Sequence, residues 1–391
     1  MRRIAVVGAS GFVGATVVER LRDHDEDVVP LIHSSGNAWR LARHGLTLRS
    51  VDLLDRLAVE GALDGCTHVV NCARGSDEAM LRGLRNLLAA CRTRRVRRVV
   101  HLSSVAVYGD PPPPESRDED APTKPPKNSY GAIKLRQDEL VARAARDGLS
   151  AIALCPPNIS GPYSPFLLRV FAALRAARLR LVDDGVAVCN LVDVDNLAHA
   201  IELALEPGPA DGRRMFVTDD EPITWRDIVD ALTTVADPFP TPPAIGAEEL
   251  RQLAAVAPTA SPSLFGSLKH LLASDVRAVL RRDPLLAMLE RVARGGVMRL
   301  GSPVNQRLRI VLDRPMVTTP HTAPPSFDVT LSAQQLRGVR HSCAVAAREL
   351  GYQPVHSFAE SMLAFRGWYR VAHAVDTDAW DLLRQLSGAA S

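Results

Sequence analysis

The sequence predicts a doubly wound α/β fold on a parallel sheet, with a smaller, mainly helical C-terminal domain. Three observations predict it. Residues 4–7 are a short, fully apolar run, the pattern of a strand buried on both faces of a parallel sheet. The run delivers the chain to Gly8-Ala9-Ser10-Gly11-Phe12-Val13-Gly14, and a helical pattern follows over 15–21. Strand-like and amphipathic segments then alternate to about residue 160, as in repeated β-α-β units.

The bulk composition agrees with that class. A chain of 391 residues admits one large domain or a main domain with an appendage. Hydrophobic residues at 46% and charged residues at 23% are ordinary for a globular protein. The 47 basic and 44 acidic residues leave a formal charge of +3, so no nucleic-acid partner or anionic membrane is expected. Six cysteines (Cys66, Cys72, Cys91, Cys155, Cys189, Cys343) show no CxxC and no pairing with histidine at metal spacing. Reduced thiols in a cytoplasmic protein, with no metal site, are the expectation. Met1-Arg2-Arg3 leads into a strand rather than a signal-peptide core, and no apolar run is long enough to span a bilayer.

The first strand, the glycine turn and the helix start aim backbone N–H groups and a helix dipole at a pyrophosphate. The glycines let the backbone approach it. Further on, Tyr130 and Lys134 in Ser129-Tyr130-Gly131-Ala132-Ile133-Lys134 are four apart, on one face of a helix. A phenol with an ordinary pKa near ~10 is a poor base at neutral pH, but a nearby ammonium favours the phenolate. Lys134 is one of only four lysines in an arginine-rich chain, and an arginine would serve poorly as a tunable compact charge. Ser104 can then hold a substrate oxygen while Tyr130 exchanges its proton, leaving carbon-bound hydride for a cofactor. The alternative is a half-buried aromatic beside a solvated lysine.

The GxxGxxG spacing, His101-Leu102-Ser103-Ser104 before Tyr108-Gly109, the Tyr130/Lys134 pair and the turn at 155–162 recur in order and spacing. Together they resemble the extended short-chain dehydrogenase/reductase family, in its epimerase/dehydratase branch. The resemblance runs over 4–225 and again near 347–369. It implies a Rossmann sheet over 1–160, to which later segments such as 186–205 return, and a substrate domain over 161–391. It implies a catalytic triad of Ser104, Tyr130 and Lys134. It implies cofactor contacts from Gly8, Ser10, Gly11, Phe12, Val13, Gly14, His33, Ser34, Asp52, Leu53, Ala73, Tyr130, Lys134 and Pro156, and substrate contacts from Ser104 and Asn158.

The remaining elements follow in order. The second strand, 28–32, ends at His33, Ser34 and Ser35, where many members of the family carry an acid for the ribose 2′-hydroxyl of NAD. Loss of the acid removes a repulsion against a 2′-phosphate, and the hydroxyls with Arg40 and Arg43 can accept one, so the reading leans to NADP over NAD. A third strand is expected at 46–51. Asp52-Leu53 after it resembles the family's acid-apolar pair beside the adenine, Asp52 being otherwise a helix cap. A strand at 68–72 leads to Ala73, and Arg74-Gly75-Ser76 departs from the family's small-residue loop. A helix at 80–91 and a strand at 96–102 lead to Ser103-Ser104. Dehydratases of the branch carry Thr-Asp-Glu where this chain has Ser104-Val105-Ala106, which argues against 4,6-dehydration.

Residues 110–128, rich in proline and charge, form a surface loop, which the resemblance places at the border of the site and which is otherwise a mere connector. A helix at 130–146 and a strand at 151–154 precede Cys155-Pro156-Pro157-Asn158, where the family's usual arginine is replaced by Cys155. At 191–198 Asp195 reads as a helix cap, and Thr224 caps the next helix. Proline at 237–244 marks a boundary. A helical insertion atypical of the family, 245–330, is expected beyond it, with helices at 248–256, 264–272 and 285–293 and a strand at 307–312. The family pattern returns at 346–354, before a helix reaching Trp368-Tyr369. The implied function is NAD(P)-dependent oxidation or epimerisation at a secondary alcohol or ketone of a sugar, nucleotide-linked, by a homodimer. A reductase of a non-sugar ketone and a non-catalytic dinucleotide sensor are the alternatives.

Overall fold

The apolar run at the N-terminus lies inside a seven-stranded, wholly parallel sheet, paired on both sides. The computed structural model describes residues 2–33, 38–206, 208, 211–235, 241–256 and 327–372, which apart from 255 and 256 belong to one compact unit. The chain runs through β1 (Arg3–Val7), β2 (Asp27–Ile32), β3 (Arg49–Ser50), β4 (His68–Asn71), β5 (Arg98–Leu102) and β6 (Ala151–Cys155). After β6, β7 (Asn158–Ser160) pairs with β9 (Leu191–Asp193) and β8 (Leu181–Val182) with β11 (Ala244–Ile245). The remaining strand, β10 (Arg214–Phe216), joins the main sheet beside β6, giving the order β3-β2-β1-β4-β5-β6-β10. The order reverses between β1 and β4, the place where open α/β sheets bind ligands.

The helices are α1 (Phe12–Asp23), α2 (Trp39–Ala42), α3 (Arg56–Ala62), α4 (Asp77–Thr93), α5 (Tyr130–Arg146), α6 (Pro165–Arg175), α7 (Val194–Leu203), α8 (Trp225–Thr233) and α9 (Ala247–Val256). They continue as α10 (Val329–Ala333), α11 (Ala344–Leu350) and α12 (Phe358–Ala372). Alternation along β1 divides the core: Ile4 and Val6 face Val17, Leu21, Leu197 and Ile201 of α1 and α7, while Ala5 and Val7 face Val59, Leu84, Leu87 and Val141 of α3, α4 and α5. A separate cluster joins α6, α8 and α12 through Leu168, Phe171, Trp225, Ile228, Phe365 and Tyr369. The aromatic at 369 is thus core.

Differences from expectation are local. The third strand shrinks to Arg49–Ser50, because only Leu31 and Ile32 at the end of β2 are there to pair with it. The cap of α7 is Asp193 rather than Asp195: the Asp193 carboxylate accepts from the Asp195 N–H at 2.8 Å. Likewise α3 is capped by Asp55, and Asp52 accepts from the Leu54 N–H in a tight turn instead. Thr224 caps α8 in a reciprocal capping box with Asp227. The expected elements at 264–272, 285–293 and 307–312 lie outside the described residues.

Candidate active site

The glycine turn and the loop after β4 meet at the switch point. Gly8 has a φ of +77°, and a Cβ there would lie 2.9 Å from the Ala73 backbone, so only glycine fits. A Cβ on Gly14 would collide with the Gly8 carbonyl oxygen, so α1 begins directly on the turn. Its N-cap, Gly11, offers no side-chain acceptor, which leaves the first-turn N–H groups open beside Ser10, Phe12 and Val13. This uncapped helix start, held against a backbone cradle that side chains would fill, fits the pyrophosphate of a dinucleotide. Ala73 donates its N–H to Asn71 Oδ1 at 3.2 Å, fixing the wall opposite the turn.

The adenosine end is less complete. His33 is exposed and its carbonyl accepts from Ser50 Oγ at 3.2 Å; Asp52 is exposed and Leu53 half-buried beside Gly83. Ser34 lies outside the described residues. Arg40, read from sequence as a 2′-phosphate acceptor, is engaged elsewhere. It pairs with Glu19, donates to Thr16 Oγ1 at 2.9 Å and stacks 4.3 Å from the Tyr163 ring centroid. Arg43 also pairs with Glu19, at 2.7 Å, but stays largely exposed. The acid that draws both is 21 and 24 residues earlier in the chain, out of view of a local motif.

Tyr130 and Lys134 share one face of α5, and Ser104 is held against the start of that helix. Ser104 caps a short 3₁₀ turn, Val105–Tyr108, its Oγ accepting from the Ala106 N–H at 3.2 Å. The Pro156 carbonyl accepts from the Val105 N–H at 3.2 Å, tying the end of β6 to the same turn. Gly131 packs on the Ala106 carbonyl so closely that a Cβ would collide with it. That contact sets the first turn of α5, and Tyr130 with it, on the Ser104 turn.

Lys134 is 3% exposed, and its Nζ donates to the Leu102 carbonyl at 2.7 Å. Burial lowers the amine to about 8, with Asp138 opposing. Nζ stands 5.8 Å from the centroid of the Tyr130 ring. Tyr130 is 40% exposed as a residue, yet burial of its phenol group pushes the pKa up rather than down. The opposing cation is Arg74, 4.9 Å from the ring centroid. So the expected pair is in place, but in the chain alone Lys134 does not bring Tyr130 below its ordinary value.

Two residues that local motifs did not single out complete this region. Arg74 was visible only as a departure from the small-residue loop. Asp138, one turn beyond Lys134 and 5% exposed, could have been found from its i,i+4 spacing. It lies beside Ser103, with Arg214 at 3.8 Å. Its burial raises the carboxyl to about 6, the Ser103 hydroxyl and Arg214 opposing. Arg214, on β10, brings a guanidinium to the neighbourhood where Cys155 replaces the family's arginine.

Ser104 and Asn158 line one cavity of about 100 Å³. Its apolar walls include Val105, Val188 and Trp225; its polar groups include Arg337 and His341 from the segment that returns at the C-terminal end. Tyr130 is not among its lining residues. Asn158 donates to Cys189 Sγ at 3.5 Å, and Arg337 forms a two-pronged pair with Asp110 at 2.9 and 2.8 Å. Asp110 and Pro112 also line the cavity, so the proline-rich loop borders it. Among the described residues there is no cluster of His, Cys, Asp or Glu able to hold a metal ion, and no helix long and apolar enough to cross a membrane.

Comparison with known proteins gives the same answer as the geometry. The chain is 30% identical over 241 residues to a 4-hydroxy-2-methyl-3-oxo-4-farnesyl-3,4-dihydroquinoline-1-oxide ketoreductase of Stigmatella aurantiaca, covering 59% of this chain and 72% of that one. It is 28% identical over 246 residues to a UDP-glucose 4-epimerase of Corynebacterium glutamicum, covering 55% and 74%. The fold matches the crystal structure of a dTDP-glucose 4,6-dehydratase from Bacillus anthracis in complex with NAD, with a TM-score of 0.65, 15% identity, and 98% and 100% of the two chains covered. A family model, NAD dependent epimerase/dehydratase family, matches residues 4–216. Glycine turn, switch point and matched span therefore coincide, and the chain is an enzyme of the NAD-dependent epimerase/dehydratase family, of the extended short-chain dehydrogenase/reductase type.

Proposed function

We propose that this chain transfers hydride between a nicotinamide dinucleotide and a secondary alcohol or ketone, with Ser104, Tyr130 and Lys134 as its working residues. The observation that carries the reading is the contact between Gly131 and Ala106, which brings Tyr130 and the Ser104 turn together at the carboxyl edge of the sheet. In this reading Ser104 orients the reacting oxygen, Tyr130 exchanges its proton, and Lys134 supports the phenolate and holds the nicotinamide ribose. The dinucleotide carries the hydride. Gly8, Ser10, Gly11, Phe12, Val13 and Gly14 hold its pyrophosphate; His33, Ser34, Asp52, Leu53, Ala73 and Pro156 line the rest. The Rossmann part is assigned to 1–160, with later segments such as 186–205 returning to it, and the substrate domain to 161–391.

The substrate is read as a nucleotide-linked sugar, as the name of the epimerase relative suggests. A second reading, reduction of a non-sugar ketone, is supported by the apolar walls at Val105, Val188 and Trp225 and by the ketoreductase relative. The cavity is also smaller than the roughly 300–1,000 Å³ that encloses a whole drug-sized ligand. Purified protein separates the two. Dinucleotide retained through turnover of UDP-glucose, with no net change in nicotinamide absorbance, supports epimerisation; stoichiometric loss of NADH or NADPH with a ketone supports reduction. The same assay tests the lean to NADP, for which Arg43 rather than Arg40 remains as the 2′-phosphate partner. Sedimentation tests the homodimer that the family leads one to expect.

A further inference from the structure

The loop after β4 carries an arginine whose position the catalytic reading does not use. Arg74 is exposed, and among the described residues it forms no ion pair or hydrogen bond. An unpaired guanidinium on a loop would ordinarily extend into water. This one lies over the face of the Tyr130 ring, 4.9 Å from the centroid, nearer than Lys134 Nζ at 5.8 Å. The face of an aromatic ring is its negative surface, so a cation there is attracted. We infer that Arg74 is a positioning residue for Tyr130: from the loop after β4 it holds the phenol ring by its face and supplies the second positive charge beside the phenolate. The inference rests on the assignment of Tyr130 as the proton-exchanging group.

Charge and geometry both favour it. Lys134 is committed to the Leu102 carbonyl and part of its charge is answered by Asp138, so the amine alone is a weak support for a negative phenol. The other groups facing Tyr130 are Asp138 on the same helix and Cys155 on β6, and both disfavour the phenolate. Arg74 is the cation that opposes them from outside the helix. A guanidinium also keeps its charge throughout the working pH range, whereas Lys134 at about 8 loses its own in mildly alkaline solution. The site thus contains one tunable cation and one fixed cation.

The test uses the full chain labelled with ¹³Cζ-tyrosine, whose resonance reports ionisation, with Tyr130→Phe to assign the signal. In Arg74→Met, and in Arg74→Gln as a second variant, the titration midpoint of Tyr130 should rise by about half a unit to one unit, the range of a partly desolvated cation–ring contact. Arg74→Lys should recover part of the shift, and the other four tyrosine signals should stay in place. Midpoints that coincide in wild type, Arg74→Met and Arg74→Gln would overturn the inference. Turnover that survives Tyr130→Phe would instead refute the catalytic assignment while leaving a measured shift standing, so the two failures are distinguishable.

Discussion

The backbone of Gly131 rests on the carbonyl oxygen of Ala106, with no space for a single added carbon between them. One helix and one turn, from segments 25 residues apart, are thereby fixed with the Tyr130 end of α5 against the Ser104 turn. Gly131→Ala must push α5 away from the turn. The expected result is a fall of about 100-fold in kcat/KM, the effect of a misplacement near 1 Å. A stability loss of about 1–3 kcal/mol from overpacking should accompany it. Steady-state kinetics with urea denaturation would read both.

Gly14 carries a second such contact, against the Gly8 carbonyl. Gly14→Ala should lift the start of α1 off the glycine turn and turn its open N–H groups away from the pyrophosphate. NADH affinity measured by fluorescence should weaken at least about tenfold, a loss of about 1.4 kcal/mol of binding. The secondary structure should be unchanged by circular dichroism.

Lys134 gives the site a pH limit. Burial holds the amine at about 8, so it is charged below that value and neutral above it. The Tyr130 phenol lies above its ordinary value, so Lys134 loses its charge first, and in the direction of alcohol oxidation kcat/KM should fall above about pH 8 as the ammonium that supports the phenolate is lost. Lys134→Met should lower kcat/KM about 100-fold and abolish the Lys134-dependent limb. Lys134→Arg should not restore it, because the planar guanidinium neither fits the Leu102 carbonyl contact nor titrates near 8.

Asp138 makes a prediction about stability. Its folded pKa of about 6 lies above the ordinary aspartate value of 3.8, so from about pH 4 to 6 the folded chain holds a proton that the unfolded chain releases. Stability contributed by this group is therefore greatest at acid pH and falls as pH rises through that window. The loss is about 3 kcal/mol for a shift of roughly two units. In Asp138→Asn this fall should disappear. Melting temperatures of wild type and variant, compared at pH 4.5 and 7.5, should diverge in favour of the variant at the higher pH.

What was legible in the sequence follows the range of the interactions. The glycine turn and the Tyr130/Lys134 pair are local constraints: a turn that only glycine makes and an i,i+4 pair. Each can be read from a few adjacent residues. The fate of Arg40 depends on Glu19 from the preceding helix, and the C-terminal wall of the cavity on Arg337 and His341, more than 200 residues from Ser104. Spacing carries no information about such partners. The cap of α7 was misassigned by two residues because two aspartates there are equally good caps until the backbone chooses one.

The Tyr130 phenol, as the group that exchanges the proton, is the centre of the proposed chemistry. Tyr130→Phe removes the hydroxyl and leaves the ring that faces Arg74 and Lys134, so cofactor binding and fold should persist. Single-turnover hydride transfer, followed at the nicotinamide absorbance with NADH or NADPH bound, should slow by about 10²- to 10⁴-fold while dinucleotide affinity stays within about threefold of wild type. Hydride transfer at the wild-type rate in that variant would contradict the account.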